Sequence, residues 1–486
     1  MYFRYGDQCS ENIDTDVAII GGGLAGLACG VALSDAGFHV TVIERDRAAG
    51  GRACSFEDST TGDSIDIGPH ILLSEYRNML QWMERLGTRE QVAWHTQEFI
   101  TLIEGNRADR MYMRPLPAPL HFLPTLLRVP AVSMRDLLSN RRVIWLAMNM
   151  HDHDVDRLDT TNAREFLARL GVTQRFIDWY WRTVAMTIMN VPLELCSAGA
   201  LMRFFQQMVG HSGYRIGFPA TSLNALATAP AVRAIKAAGG CLLMPAEAVS
   251  VEGEGFVVKT VRLADGTRLK VRACVVCVPP QQLPALIPAE WKARYSLFRN
   301  AASFRPSPYI SSYIWFSRKL TNEPFWARVW APENLNYDSY DLSNIRAGWS
   351  ARPSVIASNL IFSARAQELD DGEIIARTIE ELESFLPDVR QAEVVHARVN
   401  RIPMAIPAPL PGSERLRPQT RTPVAGLFLA GDWIGTGLPA SMESAVCAGN
   451  RAAQRAAQYL GRDLRVALPV RRMEGLAGFV NRWSRA

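Results

Sequence analysis

The feature that most constrains this chain is a glycine run, Gly21-Gly22-Gly23-Leu24-Ala25-Gly26, set between an apolar stretch and a stretch of small residues. The apolar stretch, Asp16 to Ile20, predicts a short strand, and the small residues from Leu24 to Leu33 predict a helix. A second apolar run, His39 to Ile43, closes a strand–helix–strand unit with the length of a βαβ crossover. In that setting each glycine has a distinct task. Gly21 permits the tight turn, Gly23 lets an anion approach the backbone, and Gly26 lets the helix pack close to the strand. The unpaired N–H groups at the helix start then face a pyrophosphate. Glu44 ends the second strand, where a carboxylate can accept hydrogen bonds from ribose hydroxyls, and Arg45 follows it on the same rim. The pattern predicts an α/β fold that binds a dinucleotide and leaves open which one.

At 486 residues the chain exceeds a single ordinary core, so two domains are expected. Hydrophobic residues make up 48% and charged residues 21%, the balance of a globular enzyme. A net charge of +5 is small for this length, and no basic run interleaved with aromatics points to nucleic acid. Eight scattered cysteines do not make a disulfide scaffold, and no secretory pattern precedes the first strand, so a cytoplasmic location is expected. Cys274-Val-Val-Cys277 has metal-ligand spacing but lies in an apolar run that reads as a strand, where residues three apart face opposite ways. His151-Asp-His153-Asp reads as a solvated loop before a helix, so no metal site is expected. No apolar run reaches the ~18 residues that a membrane span needs.

The character of the chain shifts several times. Residues 1–13 read as a loose lead-in. The α/β style of 14–110 gives way at 111–220 to proline-punctuated apolar sequence and then helical patterns. It returns over 221–290, where Leu223–Ala238 reads as a helix, Glu247–Val251 (with Val249 at the cofactor) as a strand, and Asp265-Gly266 as a hairpin turn. Residues 291–395 are rich in aromatics, 396–461 end in another α/β unit, and 462–486 form an amphipathic tail. The expected arrangement is a discontinuous Rossmann-type cofactor domain, built from the first, third and fifth pieces, with an inserted α+β substrate domain.

Three further motifs fix the cofactor. Gly50-Gly51-Arg52 follows shortly after Glu44. Asp66-Ile-Gly68-Pro69-His70-Ile71 lies downstream, and Gly431-Asp432-Trp433 ends a late strand before Pro439-Ala-Ser441-Met442-Glu443 opens a helix. Together with the glycine run these motifs resemble the signature of the amine oxidase and carotenoid desaturase superfamily of FAD enzymes, from about residue 16 to residue 460. The resemblance implies non-covalent FAD. It places Arg52 against the diphosphate, where a guanidinium fork suits phosphate oxygens, and Asp432 near the ribityl–phosphate region. It also puts the N–H groups around Ser441 and Met442 at the flavin O2 carbonyl, where a helix N-terminus favours negative charge. Gly68 to Ile71 would pass along the flavin ring, which makes His70 a weak catalytic candidate.

Within that superfamily, Gly68 to Leu80 and Ile314 to Leu320 resemble the plant-type phytoene desaturases and the hydroxysqualene dehydroxylases. Asp432-Trp433 with Thr436-Gly437-Leu438-Pro439 looks more like the latter group. Ile434 and Pro69 depart from that group's usual threonine and glutamine. Flavin amine oxidases commonly carry an aromatic residue where Ser441 stands. The resemblance implies an oxidoreductase acting on a long isoprenoid, with reductive dehydroxylation of hydroxysqualene to squalene as the expected reaction. Carotenoid desaturation is the first alternative and amine oxidation the second. An apolar substrate of this kind implies a protein seated peripherally on the inner face of the cell membrane. Leu116–Val132 and Arg471–Arg485 are the expected contacts, the latter with Met473, Leu476, Phe479, Val480 and Trp483 at helical spacing. The reaction needs an acid that the sequence does not identify. The polar-aromatic run Tyr337, Asp338, Tyr340, Asp341 reads as a surface loop. The electron partner is left open.

Overall fold

The computed structural model describes residues 14–95 and 99–483, so the lead-in 1–13, Cys9 and the end of the C-terminal tail lie outside the described residues. A seven-stranded, mostly parallel sheet grows from the glycine motif. Cys241–Leu243, Val40–Ile43, Asp14–Ile20 and Arg268–Val276 lie side by side in parallel, and Leu427–Leu429 extends the last of these. Val257–Leu263 and Ala248–Glu254 complete it in antiparallel, joined through the hairpin expected at Asp265-Gly266. A parallel sheet is covered on both faces, so its strands are apolar at successive positions. Val17, Ala18, Ile19, Val40, Val42 and Val275 are all fully buried.

The helix Leu24–Asp35 is buried along nearly its whole length, because the helix Met442–Tyr459 covers the side that the sheet does not. Small residues let the two approach. A side chain at Gly449 would come within 2.2 Å of the Ala25 carbonyl oxygen. The two ends of the chain therefore build one nucleotide-binding unit, which is why motifs some 400 residues apart in sequence belong to a single site.

A second seven-stranded sheet runs in the order Val394–Pro407, Pro306–Phe316, Val355–Ile361, Asp338–Asp341, Phe325–Arg328, Ile100–Glu104, Arg107–Met111. Its pairs are antiparallel apart from Phe325–Arg328 with Ile100–Glu104. Two of the boundaries expected from composition are thereby corrected. The hairpin Ile100–Met111 belongs to this sheet, although it precedes the proline-rich shift at 111. Val394–Pro407 runs past 396 because it pairs along almost all of Pro306–Phe316. Helices between Met134 and Gly210 form a core of their own around Trp181, Leu201 and Met202, and Trp179 joins them to this sheet beside Tyr313 and Trp315.

His151-Asp-His153-Asp opens the helix Asp152–Leu158 instead of lying in a loop. Asp154 accepts from the His151 N–H at 3.0 Å and pairs with Arg157 at 2.9 Å, which stabilises a first helical turn. Among the described residues no group of His, Cys, Asp and Glu is arranged to hold a metal ion, and no helix is long and apolar enough to cross a membrane. The C-terminal helix Gly475–Trp483 rests on the proline-rich segment. The Ala477 N–H donates to the Ala118 carbonyl at 3.0 Å, and a side chain at Gly475 would meet Ala118 at 2.9 Å. Ala477 is fully buried by this contact, but Leu476 and Phe479 stay 48% and 62% exposed.

Candidate functional site

One cavity of about 840 Å³ begins at the glycine turn, passes the start of the helix Met442–Tyr459 and reaches the antiparallel sheet. Of the residues expected around the cofactor, Gly21, Gly23, Leu24, Ala25, Glu44, Arg45, Gly51, Arg52, Gly68, Pro69, His70, Ile71, Val249, Gly431, Asp432, Ser441 and Met442 line it. Gly26 and Pro439 do not. Gly26 lies beneath the turn, where a Cβ would fall 1.9 Å from the Gly21 oxygen, in keeping with the packing task expected of it. Pro439 faces a small adjoining pocket with Trp433, Glu414 and Arg417.

The backbone fits a diphosphate. Gly21 has φ +106°, and a Cβ there would meet the Cys277 oxygen at 2.9 Å. Gly23 caps the helix Leu24–Asp35, and a Cβ on it would find nothing nearer than 3.9 Å, so the space in front of the helix N-terminus is open to a ligand. The second glycine motif lies on the first, with the Gly50 N–H donating to the Gly22 oxygen at 2.8 Å. Glu44 has a task the sequence does not reveal. Its Oε2 accepts from the Gly22 N–H at 2.7 Å and its Oε1 from the Asp46 N–H at 2.9 Å, so the carboxylate also fixes the turn.

Arg52 and Asp432, from opposite ends of the chain, meet in a two-pronged pair at 2.9 and 2.7 Å. Arg52 donates to the Ala405 carbonyl as well, at 2.9 Å. Asp432 is almost fully buried, so each ion stabilises the other where water is scarce. Ser441 caps the 18-residue helix Met442–Tyr459, accepting from the Ser444 N–H at 3.2 Å, and the helix start faces the cavity. Glu443 turns away from the cavity. It accepts from the N–H groups of Asn78 and Met79 at 3.0 and 2.8 Å and so caps the helix Arg77–Leu86. The Ser-Met-Glu motif therefore turns its backbone to the cavity and braces the neighbouring helix with its acid.

His70 lines the cavity with Nδ1 2.7 Å from the Gly68 carbonyl. A carbonyl only accepts, so Nδ1 carries the proton and Nε2 is bare. Burial lowers its pKa, so it is neutral at pH 7 and poorly suited to act as an acid. Cys277 lines the cavity while Cys274 is buried in the core. Burial raises both thiols, which excludes a reactive thiolate.

The surface loop expected around Tyr337 to Asp341 is a buried strand. Tyr337, Asp338, Tyr340 and Asp341 are all under a tenth exposed, because Asp338–Asp341 is paired on both sides. Alternation divides the run. Asp338 and Tyr340 face the cavity with Tyr309. Asp341 faces the other way and is satisfied by Ser343 and Ser354. The Tyr340 hydroxyl donates to Asp338 Oδ2 at 2.5 Å and the Asn359 amide donates to the same oxygen at 3.2 Å. Asp338 Oδ1 has no protein partner. Period-two reading of Tyr-Asp-Ser-Tyr-Asp was the signal available. The two aspartates make the run look solvated.

A profile of the flavin-containing amine oxidoreductases matches residues 24–457. The chain is 28% identical to a 15-cis-phytoene desaturase of Synechococcus elongatus, over 90% of this chain and 95% of that one. It is 27% identical to the chloroplastic/chromoplastic 15-cis-phytoene desaturase of Solanum lycopersicum, over 91% of this chain and 78% of that one. A redesigned putrescine oxidase superposes with a TM-score of 0.70 over 93% of this chain and all of its own, at 16% identity, which speaks for the fold alone. FAD fits the cradle, and when bound it supplies two-electron redox chemistry. The glycine turn, the Arg52–Asp432 pair, the two helix starts and a family match over most of the chain lead to one conclusion: this chain belongs to the flavin-containing amine oxidoreductase family and is an FAD-dependent oxidoreductase.

Proposed function

We propose that the protein acts on a long isoprenoid drawn from a membrane, and that its reaction is the reductive dehydroxylation of hydroxysqualene to squalene. The observation that carries the apolar substrate is a ridge of exposed leucines. Leu116, Leu120, Leu123 and Leu127, spaced like one face of a helix, are 37–51% exposed beside Leu476 and Phe479 of the C-terminal helix. Exposed Arg128, Arg135, Arg472 and Arg482 flank them, as anionic lipid headgroups would require. A thirty-carbon hydrocarbon faces a penalty of ~20 kcal/mol in water at ~0.8 kcal/mol per methylene, so it must come from a bilayer, here the inner face of the cell membrane. The cavity suits such a chain on its far side, where Ile71, Ile188, Ile402 and Ile406 form part of the wall.

In this reading FAD is held without a covalent bond. Gly21, Gly23 and Arg52 bind the diphosphate, Glu44 the ribose, and the N–H groups at Ser441 and Met442 the flavin. Asp432-Trp433 and Thr436-Gly437 support dehydroxylation over desaturation. The 15-cis-phytoene desaturases among the relatives favour the second reading, desaturation of a carotenoid. Parallel incubations decide between them. Dithionite-reduced enzyme without oxygen should turn hydroxysqualene into squalene as oxidised-flavin absorbance returns, and oxidised enzyme given phytoene and a quinone should yield no conjugated polyene. A coloured carotene with no squalene would promote the second reading. Acid precipitation should leave a yellow supernatant.

A further inference from the structure

Reductive loss of a hydroxyl needs a proton at the leaving oxygen, and among the described residues the cavity wall holds one buried carboxyl with an unpartnered oxygen. Asp338 is 6% exposed, lines the cavity, and leaves Oδ1 without a protein partner while Tyr340 and Asn359 hold Oδ2. Asn359 is itself fixed by the Ser311 hydroxyl at 2.7 Å, and Ser311 lies against Gly68 of the segment that carries His70. The carboxyl is thus anchored by one oxygen, while the other is buried at the cavity wall with no protein partner.

Resting on the isoprenoid-alcohol reading above, we propose that Asp338 is the acid of the reaction and that Tyr340 positions it. The allylic C–O bond breaks with its electron pair on oxygen, and the proton from Asp338 Oδ1 completes a molecule of water. The hydrogen and two electrons that refill the carbon come from the reduced flavin, which is oxidised in the step. A two-electron reductant of the reduced-nicotinamide class restores it, and Asp338 regains its proton from water.

The surroundings favour the protonated form of the acid more than those of an ordinary carboxyl do. Burial raises the carboxyl to about 6, against the smaller lowering effect of the bonds from Tyr340 and Asn359. The titratable groups near it are Tyr309 and Tyr313 of Pro306–Phe316, Tyr340 of its own strand and His70 on the same cavity. The tyrosines are held neutral by burial, and so is His70. Ala327 faces it from the neighbouring strand, and the next residue, Arg328, pairs with Glu381. Arg346, near Tyr313, is paired with Asp66 at 2.6 Å. Among the described residues no cation therefore draws Asp338 into its ionised form.

The test uses flavin-loaded, dithionite-reduced enzyme and hydroxysqualene in single turnovers across pH. The wild-type rate should fall as pH rises through about 6, where the acid ionises. Asp338→Asn should keep its flavin spectrum but lose on the order of 10²-fold or more in rate, together with that pH dependence. Tyr340→Phe removes a bond to the ionised form, so its profile should move to higher pH. A merely structural tyrosine would not move it. An Asp338→Asn enzyme within about threefold of wild type, with the same profile, overturns the inference and leaves the function standing. A wild type inert toward hydroxysqualene overturns both. If Asp338→Asn does not load flavin, an unshifted Tyr340→Phe profile overturns the acid role on its own.

Discussion

In the parallel sheet the buried positions are Val17, Ile19, Val42 and Val275, whereas in the antiparallel sheet Ser311, Asp338, Ser358 and Asn359 are buried to a similar depth. The contrast reflects how each half handles its ligand. The parallel half turns mainly backbone toward the cavity, through N–H groups at a turn and at two helix starts. Glu44, Arg52 and Asp432 are its polar side chains there, and most of its other side chains only need to pack. The antiparallel half presents side chains, so it carries polar groups into its core and pairs most of them, leaving Asp338 Oδ1 without a protein partner. Binding by backbone tolerates no added atom at the close approaches.

The sharpest break of this comparison is Gly26→Ala. Its Cβ would sit 1.9 Å from the Gly21 oxygen, so helix and strand must part and the phosphate turn opens. We expect a loss of about 3 kcal/mol from overpacking and a colourless protein, read by thermal melting and by the flavin-to-protein absorbance ratio. Arg52→Ala comes next. It leaves the buried Asp432 carboxylate without its two-pronged partner, at a cost of about 2–3 kcal/mol, below the usual range for a buried pair because Arg52 keeps a third of its side chain exposed. Arg52→Lys should recover only part of this, since an ammonium cannot match both oxygens. Full recovery would mean that charge alone, not the fork, holds the two ends of the chain together.

The two halves also differ in how far the sequence reveals them. Gly21, Gly23 and Gly26 follow a strand and open a helix, so local order alone announces what they do. The βαβ unit, the Leu223–Ala238 helix and the Asp265-Gly266 hairpin are legible for the same reason. Asp338 and Tyr340 are not. Their strand is buried only because Phe325–Arg328 and Val355–Ile361 flank it, and that pairing joins segments that no local pattern links. The double duty of Glu44 and the capping by Glu443 are hidden likewise, because their partners are backbone N–H groups whose positions depend on the finished fold.

Asp338→Asn sharpens the comparison from the polar side, and here the effect is a gain. The folded carboxyl is raised to about 6 from an ordinary 3.8, so its stabilising contribution is complete below about pH 4 and is lost as pH rises through 6. At pH 8 the wild type bears the cost of a buried charge, and an amide that can still accept from Tyr340 removes it. The variant should be more stable by about 2–3 kcal/mol at pH 8 and equal to wild type near pH 4, as denaturant titrations at both values would reveal. Equal stability at pH 8 would mean that the carboxyl stays protonated there or is better solvated than its burial implies. Activity lost while stability is gained would mark a group retained for chemistry.

The smallest expected effect on stability belongs to a surface that neither sheet explains. Leu127 and Phe479 are 51% and 62% exposed, so replacing both with Ser removes little packing and should change stability by less than about 0.5 kcal/mol. Ala477, in the same helix as Phe479, is fully buried against the proline-rich segment, so a larger residue there should destabilise the fold. If the exposed leucines insert into lipid, the double variant keeps its melting temperature and its flavin but no longer floats with anionic liposomes. A fully buried apolar side chain is worth about 1.5–3 kcal/mol of transfer energy, and these two expose just over half of theirs, so losing both should reduce partitioning by at least about tenfold. Wild-type protein that stays in the soluble fraction would remove the membrane from the account. A variant that floats as well as wild type would move the contact to the flanking arginines, which high salt would then release.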